Sequence, residues 1–93
     1  MINFTMVQSR LKIVWAEFNL KRAREGKRSV SLRDIAKATG LAPSTITGLT
    51  TNRQQQVHFR TISLLCAFFG ISPGDLFVYT SDDAIDRSEV DRA

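Results

Sequence analysis

Apolar residues Val7, Leu11, Val14, Trp15 and Phe18 recur at three- and four-residue steps, the spacing of one helix face. Thr5 and Gln8 have the form of a capping box ahead of them, so the pattern predicts a long first helix that ends near Arg24, with Gly26 as its stop. Ser31 and Asp34 form a second cap, with Val30 and Ile35 placed to staple across it, and predict a helix over residues 32–39. Ile35 and Ala36 open its buried face, and Ala36 stands where a larger side chain would push the neighbouring helix away. Gly40 then ends the helix in the left-handed conformation that glycine adopts most cheaply. Leu41 drops into the core and Pro43 suits the first turn of a third helix over residues 43–51, whose Ile46 and Leu49 point inward. Asn52, tolerant of positive φ, is its expected terminator. Residues 53–58 are polar and read as a loop. A fourth helix follows over residues 60–69, closed by Gly70, and Ser72, Pro73 and Asp75 start a short fifth helix ending near Tyr79. Period-two alternation of strand length is missing, so the chain reads as all-α. Trp15, Phe18, Phe59, Phe68, Phe69 and Phe77 fall within apolar helical faces and read as core, as does Cys66 on the fourth helix.

Composition narrows the class. At 93 residues and 43% hydrophobic content the chain makes one small domain with a single core. The longest apolar runs fall well short of the roughly 18 residues a bilayer span needs. Residues 1–7 lack a basic start followed by a long apolar stretch, so no signal peptide is expected and the chain is placed in the cytoplasm. A lone cysteine excludes an internal disulfide and any multi-cysteine zinc site, and fits a reducing compartment. The net charge of +4 hides an asymmetry: Asp82, Asp83, Asp86, Glu89 and Asp91 are opposed near the C-terminus only by Arg87 and Arg92. Residues 1–80 carry eleven basic and four acidic side chains. The expected organisation is therefore a cationic domain over residues 1–79 and a flexible acidic tail over residues 80–93. A polyanion is the natural partner of such a domain, because each phosphate it neutralises releases counterions.

The third helix adds the chemistry. Ser44, Thr47 and Thr50 recur every three residues on the face opposite Ile46 and Leu49. A solvated face normally carries Glu and Lys; this one is small, hydroxylated and uncharged, which suits close approach to a groove floor. The pattern Ile35-Ala36, Gly40-Leu41, Ile46 and Leu49 closely resembles the helix-turn-helix of the Cro and phage-repressor type, the XRE family. Phe59 to Ile62 and Leu65 to Phe77 are similar to the fourth and fifth helices of small members, so the resemblance covers roughly residues 7–79. It implies a compact five-helix, lambda-repressor-like DNA-binding domain that inserts helix 43–51 into the major groove, and a transcriptional regulator of the repressor kind. Base-contact candidates are then Ser44, Thr47, Gly48 and Thr50. Backbone-contact candidates are Ser31, Arg33, Thr45, Thr51, Asn52, Arg53 and Gln54. Two positions depart from the family: Gly48 stands where a long side chain is usual, and Leu32 where a phosphate-contacting Gln is frequent, which passes that contact to Ser31 or Arg33.

The implied partner is double-stranded DNA, bound by a homodimer, since one small helix reads only a few base pairs. Leu76, Phe77, Val78 and Tyr79 are the leading dimer contacts, with the extended first helix behind them. No cofactor or metal is called for, because His58 has no partner cluster. An enzyme is not expected, for lack of a clustered acid-base set. The alternative is an antitoxin or accessory protein-interaction module that binds DNA weakly and takes a protein partner, a reading kept open by Gly48 and the acidic tail. The lysines and arginines at residues 21–28 fit either a charge-matched helix end or a phosphate-contacting patch. Arg10 fits either a phosphate contact or a structural pairing with Glu17 or another core-edge group, the second being preferred.

Overall fold

The computed structural model describes residues 5–53 and 56–81, with side chains placed from Val7 to Tyr79 outside residues 54–55. Strand β1 (Thr5–Ser9) leads into α1 (Leu11–Arg24), α2 (Leu32–Thr39), α3 (Pro43–Thr50), α4 (Phe59–Phe69), α5 (Pro73–Leu76) and a closing strand β2 (Phe77–Ser81). The five helices follow the sequence pattern closely, and α2 has the predicted bounds. Leu11, Val14, Ile35, Ile46, Leu49, Leu65, Cys66, Phe69 and Leu76 form one buried core to which every helix contributes. Phe18 meets Phe69 edge-on at 5.1 Å between ring centroids, and Phe69 meets Phe68 the same way at 4.9 Å, the geometry that ring quadrupoles favour. Burial pushes the Cys66 thiol up from its ordinary pKa, with the nearby Asp75 charge adding to the effect.

Two expectations about the ends are corrected. Thr5 and Gln8 do not cap a helix: they lie in β1, which pairs antiparallel with β2 in the register Thr5↔Ser81, Val7↔Tyr79 and Ser9↔Phe77. Arg10 donates its N–H to the Leu76 carbonyl at 2.7 Å, so the chain enters α1 only at Leu11, whose N–H is taken by the Ser9 hydroxyl at 3.0 Å. The fifth helix likewise stops at Leu76 rather than near Tyr79, because Phe77 turns extended (φ −126°, ψ 152°) to join the ribbon. Phe59, expected in the core from its place in an apolar run, is not buried. It opens α4 one turn ahead of that helix's apolar face and is 87% exposed. The acidic stretch from residue 82 onward lies outside the described residues; β2 itself runs to Ser81.

Two side chains on α1 hold the approach to α2. Trp15 Nε1 donates to the Val30 carbonyl at 2.8 Å. Asn19 closes on the same residue twice, Oδ1 accepting the Val30 N–H at 2.7 Å and Nδ2 donating to its carbonyl at 3.1 Å. Val30 is thereby fixed directly ahead of the α2 cap.

Candidate nucleic-acid interface

The bend between α2 and α3 is built from local chemistry. Ser31 Oγ accepts the Asp34 N–H at 3.1 Å while Asp34 Oδ2 accepts the Ser31 N–H at 2.9 Å, a reciprocal cap that satisfies two otherwise orphaned donors. The Ser31 backbone N–H is the main reason the Asp34 carboxyl is held below the ordinary carboxylate range; the Ser31 hydroxyl and the Arg28 guanidinium, 3.1 Å away, add to it. At the other end Gly40 adopts φ 76°, and Thr39 Oγ1 bonds back to the Ile35 carbonyl at 2.7 Å while accepting the Leu41 N–H. Ala42 is extended, and Pro43 then starts α3, where its missing N–H costs nothing.

Helix α3 turns Ile46 and Leu49 fully inward and leaves Ser44, Thr47 and Thr51 exposed. Among the described residues no side-chain partner engages the Ser44 or Thr47 hydroxyls. Thr50 is half-buried and its hydroxyl donates to the Thr47 carbonyl at 2.8 Å; Thr51 does the same at 2.9 Å. Both therefore keep only acceptor capacity toward solvent. Gly48 departs from the expectation. It is buried, so it leaves the set of groups open to a groove floor even though its spacing places it near the outward side.

The flanking candidates divide in the same way. Arg33 and Arg53 are exposed at the two ends of the unit, and Ser31 is exposed with its hydroxyl occupied by the cap. Thr45 is half-buried and faces a cleft it shares with Leu49, Gln56, Val57, His58 and Thr61, toward the start of α4. Asn52 is exposed, but both atoms of its amide bond the Ser9 backbone. Gln54 lies outside the described residues. Of the expected dimer contacts, Leu76 is 1% exposed and belongs to the core and Phe77 is half-buried against it, which leaves Val78 and Tyr79 open at 42% and 61% with Val7 beside Tyr79. The Arg10 guanidinium donates to the Asp75 carbonyl at 3.3 Å, a contact at the core edge. Sequence reasoning passed over Asn19 and the Asn52 clamp, since both bond backbone far along the chain and carry no local signature.

A capped helix, a glycine bend and a second helix with a hydroxyl-bearing outer face define a helix-turn-helix nucleic-acid-binding protein. The family model described as Cro/C1-type HTH DNA-binding domain matches residues 19–82, and the chain belongs to that family. The match runs from within α1 through β2. A search of curated proteins and one of solved structures each return no match. No helix among the described residues is long and apolar enough to cross a membrane.

Proposed function

We propose that this protein is a sequence-specific transcriptional regulator, acting as a repressor by occupying its operator as a homodimer in the cytoplasm. The observation that carries the reading is the two-sidedness of α3: Ile46 and Leu49 are wholly committed to the core, and Ser44 and Thr47 stand outward on a helix without a charged residue. Ser44 and Thr47 read base edges in the major groove. A hydroxyl donates or accepts, and the threonine methyl meets a thymine methyl, so each contributes moderate discrimination. Thr50 contributes as an acceptor. Arg33 and Arg53 grip phosphates at either end, with Ser31, Thr45, Thr51 and Gln54 supporting the backbone contact and setting the register. The ribbon end, with Val78 and Tyr79, carries the dimer contact. Catalysis has no part in this account; function rests on binding alone.

Selection of bound fragments from random duplex DNA tests the proposal. The expected product is a pseudo-palindrome with half-site centres about 34 Å apart, one helical turn. A gel-shift titration with salt then separates specific from general attraction. Preference that persists at physiological salt supports the regulator. Loss of all duplex binding there would show that the fold serves protein partners instead, the accessory-module reading.

A further inference from the structure

Helix α3 ends in a way that its sister helices do not. Thr51 closes it, and Asn52 follows with φ 57°, the single positive φ outside glycine among the described residues. The Arg53 N–H reaches back to the Gly48 carbonyl at 2.9 Å, the long bond of a Schellman turn. Helices α1 and α4 close with the same bond, Lys27 N–H to Arg22 C=O and Ile71 N–H to Cys66 C=O, and there Gly26 and Gly70 occupy the left-handed place. Glycine is the cheapest occupant of that conformation. Asparagine tolerates it as well, and here it brings a side chain that glycine lacks.

What it supplies is a second anchor. Asn52 Oδ1 accepts the Ser9 N–H at 2.7 Å, and Nδ2 donates to the Ser9 carbonyl at 3.4 Å. Backbone groups alternate sides along a strand, and the neighbouring Arg10 N–H points toward the β2 side to bond Leu76, so those of Ser9 point away from it. The Asn52 amide thus takes the place a further strand's peptide group would occupy on the outer edge of β1. The molecule uses the same device at the front of the unit, where the Asn19 amide closes on Val30.

We infer that Asn52 is a positioning residue: its amide ties the far end of α3 to β1 and so sets the tilt at which Ser44 and Thr47 meet the bases. The inference rests on the DNA-reading role of α3, and it removes Asn52 from the phosphate contacts. The leverage is considerable. Eight residues of helix span about 12 Å, so a swing of about 10° moves one end by about 2 Å. A working constellation of side chains tolerates about 0.5 Å.

Asn52→Gly tests this, since it keeps the left-handed turn and deletes only the amide. In the DNA-free protein the expected result is an unchanged helical spectrum, about tenfold faster exchange of the Ser9 amide hydrogen, and residual dipolar couplings of α3 that shift relative to α1 and α4. With DNA, preference for the selected duplex over a random one falls about tenfold, while affinity for the random duplex and its salt slope stay constant. Equal loss on both duplexes with a shallower salt slope would overturn the assignment and make Asn52 a phosphate contact. Unchanged preference would overturn it too, as would unchanged Ser9 exchange and α3 couplings. Should the wild type prefer no duplex at all, the DNA-reading role fails on that measurement, and the positioning role is decided by the exchange and the couplings, which need no DNA.

Discussion

Thr47 and Arg53 are both exposed and lie only six residues apart, yet the proposed interface gives them different kinds of work. A base-edge contact carries sequence information and a phosphate contact does not. Thr47→Ala is therefore expected to change which base is preferred at one position of the selected site, at a cost of about 1 kcal/mol for the best site. Arg53→Ala should weaken every duplex alike and reduce the salt slope by about one unit. Quantitative gel shifts on a panel of single-base variants at two salt concentrations distinguish the two, and the reverse pattern would exchange the roles. Asp34 gives a pH prediction. Its carboxyl is held below the ordinary carboxylate range in the folded state, chiefly by the Ser31 N–H, so the folded state binds that proton less readily than the unfolded one. The resulting stabilisation is fully present above the unfolded pKa and is lost as pH falls through the lower, folded value. Thermal melts of wild type and Asp34→Asn across the acid range should show the wild type alone losing this contribution. Such residues were legible because their partners are near in sequence: Ser31 and Asp34 are three apart, and Gly40 and Pro43 each act on their own backbone. Gly48 was not, since nothing in its own neighbourhood shows what covers it, and Phe59 was misread because a residue one turn ahead of an apolar face shares its composition without its burial.

The bend between α2 and α3 depends on a backbone state more than on contacts. Gly40 has φ 76°, and a Cβ built on it would meet nothing within 4 Å. The cost of Gly40→Ala is then that of the left-handed backbone itself, about 1–2 kcal/mol from Cβ crowding the adjacent carbonyl, with no clash against the rest of the fold. Urea denaturation followed by circular dichroism should show that loss with an unchanged slope, and DNA preference should survive in the folded fraction. A much larger loss would mean that the bend itself had shifted. The helices were readable at this scale because capping and apolar spacing are local. The ribbon was not: β1 and β2 are five residues each and are brought together from opposite ends of the chain. Thr5 and Gln8 satisfy the capping pattern equally well whether or not a helix follows. What decides against one is Leu76, which takes the Arg10 N–H across the fold, a contact no window of neighbouring residues contains.

Over the whole chain the charge is divided against itself. The net charge of +4 combines eleven basic and four acidic side chains in residues 1–80 with a C-terminal stretch in which Asp82, Asp83, Asp86, Glu89 and Asp91 oppose only Arg87 and Arg92. For a protein that approaches a duplex, the long-range field counts before any contact forms, and acidic side chains joined directly to β2 subtract from it. A chain ending at Ser81 is therefore expected to bind random-sequence duplex about three- to tenfold more tightly at low ionic strength. The gain should shrink as salt rises, because the screening length falls to about 10 Å at 0.1 M. Preference for the selected site over random DNA should move much less, since the proposed base discrimination rests on α3 and not on total charge. Fluorescence anisotropy with labelled selected and random duplexes, repeated at low and physiological salt, reads both quantities. Equal affinities for the full and shortened chains at low salt would place the acidic stretch beyond the reach of the DNA field. A gain confined to the selected duplex would instead show that it obstructs the reading face directly, and the electrostatic account would give way to a steric one.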